Sequence, residues 1–373
     1  MKLKKKYFNV ILFFIASALL MVGCGEQTSE NTNSSTVDNE KVDAESVDNE
    51  VLETMDPVTL SFADFFPAPH PAHANLFTGW ADAINEATEG LVTVELYPAG
   101  SLLAGGDIYD GVQSGIADIG HDVSGNNAGR LPILNSMYLG GVEYQNVAVS
   151  SYVARDLVEA LNPEELQDTE LMFIYGISPG VLMTTTPVKS LEDLRGMQIR
   201  ASGTNVETLE MLGATPVAMP VSEAYEAMSR GVVDGSLLPA DTLKGFNLAE
   251  VTNYVTHSSL IYNTVHYVTM NKDVWNSFPP HIQEAIQEVN EQTFEEAVEL
   301  FTSLVDGGLQ YAIDEHGVEE IYLSEEEAQR WQEAVEPLVD RHVEKLNSAG
   351  HNGQEIMDKI VELTEKYNQE FGN

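Results

Sequence analysis

Arg200 is the residue in this chain best placed to do chemistry. It ends a short apolar element, Met197 to Arg200, and the small residues Ala201, Ser202 and Gly203 follow at once. A guanidinium in such a place offers a planar fork that holds a carboxylate through two parallel hydrogen bonds. The bland alternative is a surface arginine paired with a neighbouring carboxylate, a real competitor in so acidic a chain. Histidines form a second group. His70 and His73 share one Pro/His-rich loop, and His121 closes a predicted strand. Imidazoles that converge in this way are metal ligands in other settings. No carboxylate–histidine spacing of a known metal site accompanies them here. The expectation is therefore no metal and no cofactor, with the rings capping the loop or lining a cleft. Asp122, Asn126 and Asn127 beyond the strand, and Asp241 further on, are cleft candidates of the same kind.

The elements that position Arg200 form a β-α-β-α-β run between Leu191 and Pro239. A strand to Arg200 is followed by a helix at Val206 to Leu212 and a strand bracketed by Pro216 and Pro220. A helix at Ser222 to Arg230 and a strand around Val232 to Ser236 complete it. Turns at Gly203, Gly213 and Gly231 separate these pieces, as expected of an open parallel sheet. Ligands in such sheets bind outside the carboxyl ends of the strands, where Arg200 stands.

Three stretches, DLRGMQIR (193–200), LGATPVAMPVSEAYEAM (212–228) and GVVDGSLLP (231–239), resemble the middle of the solute receptors of tripartite ATP-independent periplasmic (TRAP) transporters, the DctP family. The resemblance continues in the His/Pro loop and the YPAGSLL turn of residues 60–125, and in HYVTMNKDVW (266–275). It implies a two-lobed α/β fold like that of periplasmic binding proteins, with a ligand cleft between the lobes and long C-terminal helices. It also implies a receptor rather than an enzyme, a small organic acid as ligand and membrane permease subunits as partners. Arg200 matches the family's cleft arginine. The family's second arginine falls at Pro179, its usual asparagine at Leu238 and its usual aromatic at Val221. Half the polar clamp is thus replaced, and a pocket walled by Val221 and Leu238 should favour a monocarboxylate with a more apolar body.

Composition narrows the partners. Among 373 residues, 59 are acidic and 18 basic, a formal net charge of −41. So negative a surface disfavours nucleic acid and anionic membrane, which need a basic footprint, and it suits a salt-rich or alkaline habitat. Lys2, Lys4, Lys5 and Lys6 precede an apolar stretch from Val10 to Val22 that is too short to span a membrane comfortably. Residues 1–24 therefore read as an export signal. Met21-Val22-Gly23-Cys24 resembles a lipobox, with Cys24 as the lipidated first residue of the mature chain and its membrane anchor. Cys24 is also the only cysteine, which leaves no disulfide. Residues 25–55, polar and acidic and without aromatics, read as a disordered tether.

The remainder, 56–373, is expected to form one solute-binding domain outside the cytoplasm: lobe 1 at about 58–170, lobe 2 at about 171–265, and connecting and C-terminal helices from about 266. Helical apolar spacing from Ile282 to Leu304 is expected to break at Gly307-Gly308. No nucleophile elbow, phosphate loop or zinc-helix motif appears, so an exported enzyme is the weaker reading. A binding lipoprotein for an ABC importer or a sensor has the same fold and is the nearer alternative.

Overall fold

A computed structural model describes residues 55–177, 179–258 and 260–372. The expected signal, Cys24 and tether up to residue 54 lie outside the described residues. Within the described chain two sheets form the frame. The first has the order β2-β1-β3-β10-β4, built from β1 (Val58–Asp64), β2 (Val92–Tyr97), β3 (Ile119–Val123), β4 (Thr169–Ile177) and β10 (Thr264–Asn271). The second has the order β11-β9-β5-β8-β6-β7, from β5 (Gly180–Thr184), β6 (Gln198–Ala201), β7 (Thr215–Ala218), β8 (Gly235–Pro239), β9 (Tyr254–His257) and β11 (Glu319–Tyr322).

Each sheet is parallel except for one reversed strand. β1 pairs in parallel with β2 and β3, and β6 with β7 and β8. β10 runs antiparallel between β3 and β4, and β5 runs antiparallel between β8 and β9. The parallel strands need crossover helices, which the amphipathic segments Thr78–Ala87, Asn205–Leu212 and Ala224–Ser229 supply. Strand bounds drift from the sequence expectation most where glycine and acidic residues lead in. The strand expected at Ile116 to Gly120 occupies Ile119–Val123, and that expected at Val232 to Ser236 occupies Gly235–Pro239.

The passage between lobes also falls later than expected. β4, placed by the sequence in lobe 2 from residue 171, completes the first sheet through Ile177, and the chain crosses only before Gly180. All of β4 from Met172 to Ile177 is buried. A strand apolar on both faces belongs inside a covered sheet rather than in a hinge. β10 makes the return crossing after β9, again into the first sheet.

The helix Pro280–His316 is the third connection. It runs unbroken for 37 residues, about 55 Å at the usual rise. Its Ile282, Ile286, Ala297 and Phe301 join the core of the first lobe, whereas Ala312 joins that of the second. The expected break at Gly307-Gly308 is absent. Gly308 is buried against the backbone of Ala240 and Asp241, so the glycine provides close approach rather than a stop. The helices Glu325–Val335, Pro337–Ser348 and Gly353–Phe371 close a further core that includes Tyr138, Ile199, Leu237 and Trp331. Among the described residues no helix is long and apolar enough to cross a membrane.

Candidate functional site

The carboxyl ends of β1, β3, β4, β6 and β8 and the start of β10 meet at a single narrow cleft. Arg200 and Ser202 come from the end of β6, Leu238 and Pro239 from β8, Asp241 and Thr242 from the turn after it. Phe65, Phe66, Val123, Asn126 and Ile177 face them from the first sheet, with Tyr262, Thr264 and His266 at the start of β10. Val221 and Phe246 close the apolar side. The cleft takes in about 410 Å³, part of it open to solvent, and about 40 Å³ of it admits the centre of a water molecule. Such a space holds a few waters between lobes that are already close.

Register explains why Arg200 reaches this cleft. On β6 it lies opposite Val217 of β7 and Ser236 of β8. It is 2% exposed. Nε donates to the Met219 carbonyl at 2.9 Å, which fixes the plane of the guanidinium, and Nη1 has no hydrogen-bond partner among the described residues. Burial pushes its pKa down to about 10, which still leaves it a cation at neutral pH. Arg200 has no ion-pair partner among the described residues, so the cleft holds a fixed buried positive charge. Asp241, 4% exposed, is the one acidic side chain of the lining. Its Oδ2 lies 3.9 Å from His70 Nε2, and its Oδ1 has no hydrogen-bond partner among the described residues.

Of the residues singled out in the sequence, Arg200, Val221, Leu238 and Asp241 come together on the cleft, with Asn126 beside them. His70, His73, His121 and Asp122 do not line it; they lie buried behind its first-lobe wall. His70 stacks on Phe66 at 4.0 Å and accepts the Ala72 N–H at Nδ1, so its proton sits on Nε2, toward Asp241. Asp122 accepts from the Gly106 and Val123 N–H groups and from the Asn126 and Asn127 amides, and so ties down the loops around β3. Burial nonetheless pushes its carboxyl up to about 6.

Asp64, which the sequence did not single out, is the centre of the buried group. Its Oδ2 meets His73 Nδ1 at 2.7 Å and its Oδ1 meets His121 Nδ1 at 2.9 Å. Burial works to raise the Asp64 pKa, but hydrogen bonds from His121 and His73 outweigh it and hold the carboxyl below its usual value. On its other side His121 Nε2 lies 3.1 Å from His266 Nδ1 and 3.1 Å from the Tyr175 hydroxyl. Burial keeps both His121 and His266 below their ordinary pKa, His266 well below. His266 is the site residue most legible in hindsight: a lone imidazole on β10, a strand that is buried at every position.

Comparison with known proteins agrees with this frame. The profile of the DctP family, described as bacterial extracellular solute-binding protein family 7, matches residues 62–346. The C4-dicarboxylate-binding periplasmic protein DctP of Rhodobacter capsulatus is 24% identical over 309 residues, 79% of this chain and 89% of that protein. A TRAP solute-binding protein from a marine metagenome, specific for aromatic acid ligands and solved with metahydroxyphenylacetate, has a TM-score of 0.79 and 28% identity. The match covers 83% of this chain and 99% of that one. A TRAP periplasmic solute-binding protein from Desulfovibrio salexigens has a TM-score of 0.74 and 29% identity, covering 85% and 97%.

Proposed function

Because the chain belongs to the DctP family of bacterial extracellular solute-binding proteins, family 7, the receptors of TRAP transporters, we propose that it captures a small monocarboxylate with its carboxylate on Arg200. The observation that carries this reading is the buried guanidinium whose Nη1 has no partner among the described residues. A buried charge without a counter-ion is costly, and a carboxylate in the cleft would offset that cost through charge-assisted hydrogen bonds. Phe65, Phe66, Val221, Leu238 and Phe246 suit an apolar, flat body beside the carboxylate. The metagenomic relative's aromatic acids are ligands of this kind.

Binding works by closure. An acid that touches β6 and β8 on one side and the β1 and β10 ends on the other favours the state in which the lobes meet. Two strand crossings and the long helix are the connections about which that motion turns. The closed receptor then passes its acid to membrane permease subunits, held near them outside the cytoplasm by a lipid on Cys24.

Thermal unfolding with a panel of organic acids and neutral metabolites tests the reading. A ligand at a hundred times its Kd stabilises the folded state by about 2.7 kcal/mol. Aromatic monocarboxylates are expected to raise the melting temperature, and neutral analogues to leave it unchanged. Shifts with neutral compounds alone would contradict the carboxylate role.

A further inference from the structure

His70 belongs to the first lobe, in the loop after β1, and Asp241 to the second, in the turn after β8. They face each other across the lobe boundary, 1% and 4% exposed, with His70 Nε2 3.9 Å from Asp241 Oδ2. Neither His70 Nε2 nor Asp241 Oδ1 has a hydrogen-bond partner among the described residues. Each group is fixed on its own lobe. The His70 N–H donates to the Pro67 carbonyl at 2.8 Å, its carbonyl accepts the Ala74 N–H at 2.9 Å, and its ring stacks on Phe66. The Asp241 carbonyl accepts the Gly245 N–H at 2.8 Å, which ties the turn to the short helix Thr242–Gly245.

That helix is also the floor on which the His70 ring rests. A β-carbon at Gly245 would stand 2.7 Å from both Cδ2 and Nε2 of His70. The imidazole of one lobe therefore lies on bare backbone of the other. Phe246 adds a ring from the second lobe, centred 5.6 Å from that of His70. Donor and acceptor also match in kind. His70 Nδ1 accepts the Ala72 N–H, so Nε2 carries the proton, and the Asp241 carboxylate opposite accepts. The gap of 3.9 Å exceeds a hydrogen bond by about 1 Å. With the lobes apart, water serves both groups; with the lobes together, a buried donor and acceptor left unmade are costly.

We infer that His70 is a positioning residue for solute capture: with Asp241 it forms a catch across the lobes that tightens to a hydrogen bond as the receptor closes, and Gly245 leaves the room its ring needs. This rests on the closure reading and deepens it. His70 is not part of the cleft lining, so it acts on the solute only through the closed state. A residue that sets how much of the protein is competent to bind scales the apparent affinity of every ligand by one factor. A residue that touches the solute changes some affinities more than others.

Calorimetric titration of the full chain with benzoate and with pyroglutamate, two acids of unlike shape, tests the catch. His70→Phe keeps a ring against Phe66 and removes the N–H. Gly245→Ala keeps both polar groups and obstructs the ring. Each is expected to weaken both acids by the same factor, about five-fold or more, the worth of one net hydrogen bond. The unliganded Gly245→Ala protein is expected to melt no lower than the wild type, because the obstruction exists only when the lobes meet. In His70→Ala the ring is gone, and adding Gly245→Ala is expected to cost no further affinity. Unchanged affinities, factors that differ between the two acids, a lowered unliganded melting temperature in Gly245→Ala, or independent losses in the double variant each overturn the catch and leave the carboxylate reading intact. Failure of both acids to bind in an Arg200-dependent way overturns the two together. If His70→Phe does not melt cooperatively, Gly245→Ala decides alone.

Discussion

Gly308 of the long helix lies so close to Ala240 that a β-carbon there would stand 2.3 Å from the Ala240 carbonyl oxygen. The contact joins the interlobe helix to the turn that carries Asp241 and Thr242 into the cleft. Helix position and cleft wall are therefore one packing problem.

Two adjacent glycines make a controlled test of that contact. Gly307 is exposed and its added β-carbon would meet nothing within 4 Å. Gly307→Ala is expected to stabilise the protein by up to about 1 kcal/mol through helix propensity. Gly308→Ala forces the helix and the Ala240 turn apart, and a cost of about 1–3 kcal/mol is expected. Denaturant unfolding of the two variants checks the opposite signs.

The buried His266 predicts a loss of stability in mild acid. Its folded pKa lies well below the ordinary value, so below about pH 6.5 the unfolded chain binds a proton that the native chain does not. The stability this group contributes is complete above that pH and falls as the pH drops through the window beneath it. At pH 5 the penalty from one such histidine reaches about 2 kcal/mol. Burial is the first cause of that depression, and the neighbouring imidazoles add to it. Unfolding curves between pH 7.5 and 5 are expected to show a smaller loss for His266→Phe than for the wild type.

Asp64 predicts a different failure. It is fully buried and bonded at one oxygen to His73 and at the other to His121. Asp64→Asn keeps the shape but replaces one acceptor with a donor that faces an imidazole N–H. Loss of a buried carboxylate that accepts hydrogen bonds at both oxygens is expected to cost about 3 kcal/mol. Chemical denaturation gives the number directly, and a cost below 1 kcal/mol would remove Asp64 from the centre of the network.

The excess of acidic residues predicts that salt stabilises the fold. With a formal charge of −41, self-repulsion opposes the compact state until counter-ions screen it. The melting temperature is expected to rise between 10 mM and 0.5 M sodium chloride. A fall over that range would contradict the account of the charge.

Sequence and structure agree best where the chemistry is local. The DLRGMQIR strand, β7 with the Pro220 that follows it, and the GVVDGSLLP run that leads into β8 are each written in a few neighbouring residues, and Arg200, Val221, Leu238 and Asp241 reach the cleft through them. The contacts of His266 could not be read ahead of the structure, because its partners stand on β3 and β4, which are far from β10 in the chain and adjacent to it only in the sheet. The same holds for Gly307-Gly308. Glycine pairs usually weaken a helix, and only the approach of Ala240 explains why the helix continues through them. The late crossing after Ile177 also escaped the sequence, since the apolar run Leu171 to Ile177 reads the same as the opening strand of a second lobe as it does as the last strand of the first.

The central claim is that Arg200 receives the carboxylate of the solute, and titration of Arg200→Ala with the tightest-binding acid of the panel tests it most directly. Removal of one partner from a buried charge pair costs about 2–5 kcal/mol, so the Kd is expected to rise by roughly 30-fold or more while the unliganded variant still melts cooperatively. An Arg200→Ala protein that binds the same acid with wild-type affinity would contradict the account.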